Sequence, residues 1–124
     1  HTNSAIRSVE RMLGMYSPED QMSIRRAIAE SLLGVFAQGL IKTTDGNQTA
    51  YYDIFVNTDA CRDYIINGNL DGIDEIMSRS GFDGMMTTNQ SLLKLVEAGR
   101  ATGEDALALR PKPTELAQAL RGRI

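Results

Sequence analysis

The sequence holds one cysteine, Cys61, one histidine, His1, and no tryptophan. A lone cysteine excludes an internal disulfide, and a single histidine beside it excludes any zinc site built from those two residue types. Such sparing use of thiols suits a reducing cytoplasm. No apolar run is long enough to span a bilayer, and no basic stretch leads into a short apolar one as in a secretory leader. Glycine is nowhere followed by lysine, so the chain has no GxxxxGK[ST] loop of its own with which to cradle ATP phosphates. No basic stripe is interleaved with aromatics, which leaves nucleic acid without a recognisable surface. The first residue is not Met, so the visible start reads as an expression or cleavage boundary.

What is present is the composition of an ordinary folded domain. Of 124 residues, 42% are apolar and 23% charged, enough for one domain with a modest core and too few for two. The net charge of -3 is small but unevenly spread. Through the middle third Asp45, Asp53, Asp59, Asp63, Asp71, Asp74, Glu75 and Asp83 stand against only Arg62 and Arg79. Complementary halves of this kind can steer one subunit onto another, since Lys94, Arg100, Arg110, Lys112, Arg121 and Arg123 give the tail a slight basic excess. For any single charge the simpler reading is a solvated surface.

Hydrophobic periodicity predicts a mainly α chain carrying one β-hairpin. Ile6, Val9 and Leu13 recur at helical spacing, which predicts a helix from Ser4 to about Met15 with Thr2 or Asn3 as its cap. Ser17, Pro18, Glu19 and Asp20 combine an N-cap, a proline where no N–H is needed and two acids at the positive end of the dipole. Along the helix they start, Ile24, Ile28, Leu32 and Val35 form one stripe, which predicts an end near Ala37 to Gly39. Around Asp45-Gly46-Asn47, the β-branched and aromatic residues of LIKTTDGNQTAYYDIFV signal a hairpin. Thr58 caps a short helix through DACRDYIIN that Gly68 stops, Leu70 to Arg79 form another, and Gly81 and Gly84 hinge a loop. From Thr88 the run NQSLLKLVEAG is helical, with Gly99 at the left-handed C-terminal position. Thr102 caps TGEDALAL, Pro111 and Pro113 mark a connector, and a last helix runs from Thr114 to about Arg121.

Few of these residues point to chemistry by themselves. A Ser/His/Asp triad would have to use His1, at a terminus where poor order is expected. Asp71, Asp74 and Glu75 could suggest a metal, yet on one helix they read more simply as an exposed acidic face. Met85 and Met86 could line a groove or fill irregular gaps in a core.

The phrases say more than the composition. HTNSA followed by an amphipathic helix, then RRAIAESLLGVFAQGLIK, YYDIFVNTDACRDYI and GMMTTNQSLLKLVEAGR, in this order and spacing, resemble the C-terminal half of the PilT-like ATPases. These are the twitching-motility or type IV pilus retraction motors of the type II/IV secretion ATPase superfamily. The most specific pieces are A-E-S-L-x-x-V-x-x-Q-x-L (Ala29, Glu30, Ser31, Leu32, Val35, Gln38, Leu40) and G-M-x-T-x-x-Q-S-L (Gly84, Met85, Thr87, Gln90, Ser91, Leu92).

The resemblance implies that residues 1–57 are the C-terminal part of a RecA-like α/β P-loop ATPase core, contributing two helices and the hairpin. Residues 58–124 would form a C-terminal helical subdomain. It further implies ATP and Mg as cofactors of the full-length parent, with none for this piece, and a homo-hexamer. The parent would work in the cytoplasm, peripheral to the inner membrane, against a pilus or secretion platform protein, without nucleic acid and without inserting into the membrane. His1 aligns with the histidine box, whose imidazole approaches the γ-phosphate region. Ala60, Cys61, Arg62, Asp63, Tyr64 and Ile65 align with the family's A-I-R-N-L-I motif, tied to retraction and to coupling between subunits; Ala60, Arg62 and Ile65 match it. Met86 for Gln, Asn89 for Asp, and Asn47-Gln48-Thr49 in place of a Gly-Arg pair suggest a divergent subgroup. Assembly and secretion relatives in the superfamily usually carry a four-cysteine zinc module in this region, which Cys61 alone cannot supply, so the retraction branch is favoured.

Two alternatives stay open at this level. His1 is either the edge of an ATP site or the remnant of a purification tag. The whole chain is either a piece of a motor or a non-enzymatic helical module that docks a partner through AESLLGVF or the helix at 60–65, where Arg62 could equally be a solvated side chain on a packed helix.

Overall fold

Ser4 begins the first helix: its backbone is extended and its hydroxyl accepts the Arg7 N–H, capping α1 (Ala5–Gly14), which buries Ala5, Ile6, Val9 and Leu13. The computed structural model describes residues 4–109. The cap is therefore Ser4 rather than the expected Thr2 or Asn3. Those two residues lie outside the described range, as do the connector at Pro111 and Pro113 and the helix expected from Thr114.

α2 (Pro18–Ser31) starts where the sequence predicts, at Ser17 and Pro18, with Glu19 and Asp20 in its first turn. The Ser17 hydroxyl serves Asp20 at 2.9 Å, however, and makes no side-chain cap to the helix backbone. The expected end near Ala37 to Gly39 is wrong: the helix stops at Ser31, Leu32 is extended, and β1 (Gly34–Lys42) follows at once. The stripe misled because Val35 suits both periods, standing four residues past Ser31 and also alternating with Ala37, Gly39 and Ile41 along a strand. Asn57 decides the matter, since its Nδ2 donates to Ala29 O at 3.0 Å and Leu32 O at 2.8 Å and so satisfies carbonyls that a longer helix would have used. Gly34 then permits a close approach, as a Cβ there would stand 2.7 Å from Phe55 O.

β1 pairs antiparallel with β2 (Gln48–Val56) from Gly34↔Val56 to Lys42↔Gln48. The intervening turn has Gly46 at φ 88°, and Thr43 N–H bonds Asn47 O at 2.8 Å. Register puts Val35, Ala37, Gly39 and Ile41 on one face with Phe55, Asp53, Tyr51 and Thr49, and this face turns inward. Tyr51 lies across Gly39 so closely that a Cβ there would run into its ring. On the opposite face Phe36 and Leu40 remain well exposed, and the Phe36 and Tyr52 rings sit 5.2 Å apart.

After the hairpin come α3 (Asp59–Ile66), α4 (Leu70–Ser78), a 3-10 turn at Gly81–Asp83, α5 (Thr88–Glu97) and α6 (Gly103–Ala108). Gly68 at φ 73°, Gly84 at φ 90° and Gly99 at φ 72° end or join these pieces as the sequence predicts. Two apolar clusters result. The first gathers Ile6, Val9 and Leu13 of α1, Ala29, Phe55, Cys61 and Ile65 of α3, and Ile73 and Met77 of α4. The second joins Ile41 and Tyr51 of the hairpin to Leu92, Ala101 and Ala106. No helix among the described residues is long and apolar enough to cross a membrane.

Candidate functional site

α3 carries Ala60 to Ile65, the residues that align with the coupling motif by resemblance. Thr58 precedes it in extended conformation, and the alternation of its faces is sharp: Cys61 and Ile65 are fully buried, whereas Ala60, Arg62 and Asp63 are exposed. Tyr64 is half-buried, its ring lying where a Cβ on Gly72 would meet it at 2.6 Å, so α3 and α4 approach closely at that glycine. Arg25 of α2 reaches Gly68 at the other end of α3, where a cation favours the helix dipole. The motif's apolar positions thus hold the helix down, and its outward positions present Arg62 beside Asp59 at 3.4 Å. Both side chains of that pair are more than half exposed, so it adds little stability and leaves the guanidinium available to a neighbour.

The two most specific sequence patterns fall on junctions. Ala29 and Leu32 of the first lend their carbonyls to Asn57, while Val35, Gln38 and Leu40 lie on β1, so AESLLGVF is a helix end followed by a strand and not the continuous helix expected. The second pattern builds the start of α5. Gly84 takes the left-handed backbone, Met85 is buried in the first cluster, and Thr87 and Gln90 form a reciprocal capping box. Gln90 Nε2 also donates to Ser78 O at 2.8 Å, tying α5 to the end of α4. Ser91 Oγ accepts the Tyr52 N–H at 2.9 Å, and Leu92 fills the second cluster.

Met85 and Met86 divide the two roles open to them. Met85 packs in the core; Met86 pairs its backbone with Ile54 and borders a shallow cleft of about 310 Å³ beside Ser91, Lys94 and Arg100. Asp71, Asp74 and Glu75 are exposed on α4, and no group of three His, Cys, Asp or Glu that could hold a metal ion occurs among the described residues. His1 lies outside the described residues.

One residue of the site escaped sequence reasoning. Asp53, counted there among the acidic surface, is buried, and its carboxylate accepts three donors: Ala5 N–H at 2.7 Å, Thr88 N–H at 2.9 Å and Thr88 Oγ1–H at 2.9 Å. Strand alternation held the signal. In YYDIFV the aspartate shares its face with Tyr51 and Phe55, both buried, and a carboxylate on an apolar face needs built-in donors. At the hairpin tip, the Thr43 hydroxyl and then the Asn47 N–H hold the exposed Asp45 carboxyl below its ordinary range.

No protein-family model matches the chain. The DotB ATPase of Yersinia pseudotuberculosis superposes with a TM-score of 0.71 at 18% identity, over 88% of this chain and 28% of that one, which establishes the fold. A crystal structure of the pilus retraction motor PilT with bound ADP superposes with a TM-score of 0.83 at 29% identity, over 95% of this chain and 33% of that one. The fold is therefore that of these ATPases. A twitching motility protein of Neisseria gonorrhoeae is 32% identical over 107 residues, 86% of this chain. The chain is thus PilT-like, a relative of the twitching-motility and pilus-retraction ATPases, and it spans 29% of the length of that Neisseria relative.

Proposed function

We propose that the chain is the C-terminal portion of a type IV pilus retraction ATPase, in which residues 1–57 close a RecA-like core and residues 58–124 form the helical subdomain. The observation that carries this reading is the joint agreement of fold and sequence with PilT over 95% of the chain. The residues of the most specific patterns supply caps and turns of this chain's own fold.

In the longer protein, upstream residues would supply the phosphate loop and the Mg ligands, and ATP would be bound there. His1, at the histidine box, would donate a hydrogen bond to a phosphate oxygen or orient a water. α3 would pass motion to the adjoining subunit of a homo-hexamer, its buried Cys61 and Ile65 making it move as one body with α2 and α4 while Arg62 makes the outward contact. The assembly would act in the cytoplasm on an inner-membrane platform protein. The 124 residues alone would not turn over ATP, because the phosphate-binding chemistry is not among them.

Steady-state phosphate release tests this. The expected result is no turnover above buffer for the 124 residues and measurable turnover for a version extended upstream through a GxxxxGK[ST] loop. Turnover by the short chain, or an upstream coding sequence without such a loop, would overturn it.

A second reading, a non-enzymatic docking module, draws on the exposure of Leu33, Phe36 and Leu40 around β1. The same exposure is expected where a hairpin continues a larger sheet. Polar substitution of Phe36 separates the two, since it should impair folding of the extended protein if the sheet continues and leave it unchanged if the face meets an outside partner.

A further inference from the structure

Asp53 does more than satisfy itself. α1 packs on α4 and both strands, and α5 packs on β2 and α6, so the two helices belong to different apolar clusters. Yet each places its first N–H on the same carboxylate, Ala5 on Oδ1 and Thr88 on Oδ2. Their third N–H groups are satisfied locally, Arg7 by Ser4 and Gln90 by Thr87. The division is the same in both: the cap serves the third amide and Asp53 the first. No ion pair to Asp53 is found among the described residues, and the positive ends of two helix dipoles stand where a counter-ion would otherwise be needed.

We propose that Asp53 is a coupling joint, the positioning residue through which a displacement at the start of α1 is passed to the start of α5. Its place in a motor rests on the reading above, in which α1 follows the histidine box and α5 belongs to the helical subdomain; the coupling itself belongs to the chain as described. The mechanism is geometric. A carboxylate has two acceptor oxygens on one rigid plane, so drawing one helix amide away rotates or shifts the oxygen that holds the other. An amide side chain could not do this, because one of its two ends donates and would oppose a helix N–H. A structural aspartate that merely filled a polar gap would not link the two helix ends to each other.

Amide hydrogen exchange on the full 124-residue chain reads this directly, at Ala5 and at residues 88 to 90. Thr88→Val removes one hydroxyl on α5 and leaves its backbone donor; Ser91→Ala removes a different bond between α5 and β2, one that does not involve Asp53. The expected result is that Thr88→Val speeds exchange of the Ala5 amide, 83 positions away in sequence, by about three- to tenfold, whereas Ser91→Ala leaves it unchanged. Asp53→Asn should speed exchange at both helix starts by about tenfold or more. If Asp53→Asn does not fold, the Thr88 and Ser91 variants decide alone. An effect of Thr88→Val confined to α5, or an equal effect of Ser91→Ala on Ala5, would overturn the proposal.

Discussion

The two apolar clusters are built on different principles. Around α1 to α4 the described core is almost wholly apolar, with Phe55, Ile6, Val9, Ile65, Ile73 and Met77 essentially without exposed surface. Around α5 and α6 the buried set is leaner, and two of its five residues are alanines, Ala101 and Ala106, against two of twelve in the first cluster. Polar ties make up the difference: Thr44 N–H to Arg100 O at 2.9 Å, Thr44 Oγ1 to Gly99 O at 2.9 Å, Tyr52 N–H to Ser91 Oγ, and Asp53 to Thr88. Hydrophobic burial carries most of the first region, with Asn57 and Asp53 fixing the end of α2 and the start of α1, while the second, with fewer buried apolar groups, depends more on particular donors meeting particular acceptors. A small region beside a hairpin can in this way be held firmly in place without a large core of its own.

The largest test of that contrast is truncation. Phe55→Ala should cost about 3–5 kcal/mol, because it leaves a large cavity among residues that cannot collapse. Leu92→Ala, at the centre of the leaner cluster, should cost about 2–3 kcal/mol, since fewer neighbours lose contact. Urea unfolding followed by circular dichroism measures both. The reverse order would break the comparison.

A smaller effect sharpens it at the hairpin. Gly39→Ala would drive a methyl group into the Tyr51 ring, and overpacking of this kind costs about 1–3 kcal/mol. The penalty has one owner, so in a Tyr51→Ala background the same change should cost nothing or stabilise slightly, alanine being the better strand residue. Thermal unfolding of the four variants closes the cycle. A penalty that survives removal of the tyrosine would show that the ring is not what excludes a side chain at Gly39.

Sequence reasoning was strongest where a single residue type dictates local backbone. Pro18, Gly46, Gly68, Gly84 and Gly99 all mark boundaries where the structure has them, because few other residues suit those positions. It failed at the end of α2, where Leu32 and Val35 fit two periodicities and the decision came from Asn57, 25 residues beyond Leu32. It failed again at Asp53, since composition counts charges without locating them, and the donors that make a buried carboxylate tolerable arrive from Ala5 and Thr88. The α3 motif was read correctly as a short helix, but only packing could divide it into the buried pair Cys61 and Ile65 and the outward Arg62. The relationship to the retraction ATPases was legible from the order and spacing of whole phrases, which carry many such tertiary requirements at once.

The smallest expected effect lies at the tip of the hairpin, where the second region's polar ties begin. Asp45 accepts from the Thr43 hydroxyl and the Asn47 N–H, and both favour its charged form, so its folded pKa lies below the ordinary carboxylate value. A depressed carboxyl contributes stability at pH values above its unfolded pKa and loses it as the pH falls through the folded value. The window therefore opens at about pH 4 and extends downward. Across it the native chain should lose stability more steeply than Asp45→Asn, which keeps an acceptor for both bonds but cannot titrate. Above pH 5 to 6 the two should run nearly parallel. Because Asp45 is exposed, the divergence should be slight and should shrink further in high salt. Unfolding midpoints measured for both chains from pH 6 down to pH 3 read it, and identical slopes would mean that the tip is not one of the ties holding the second region.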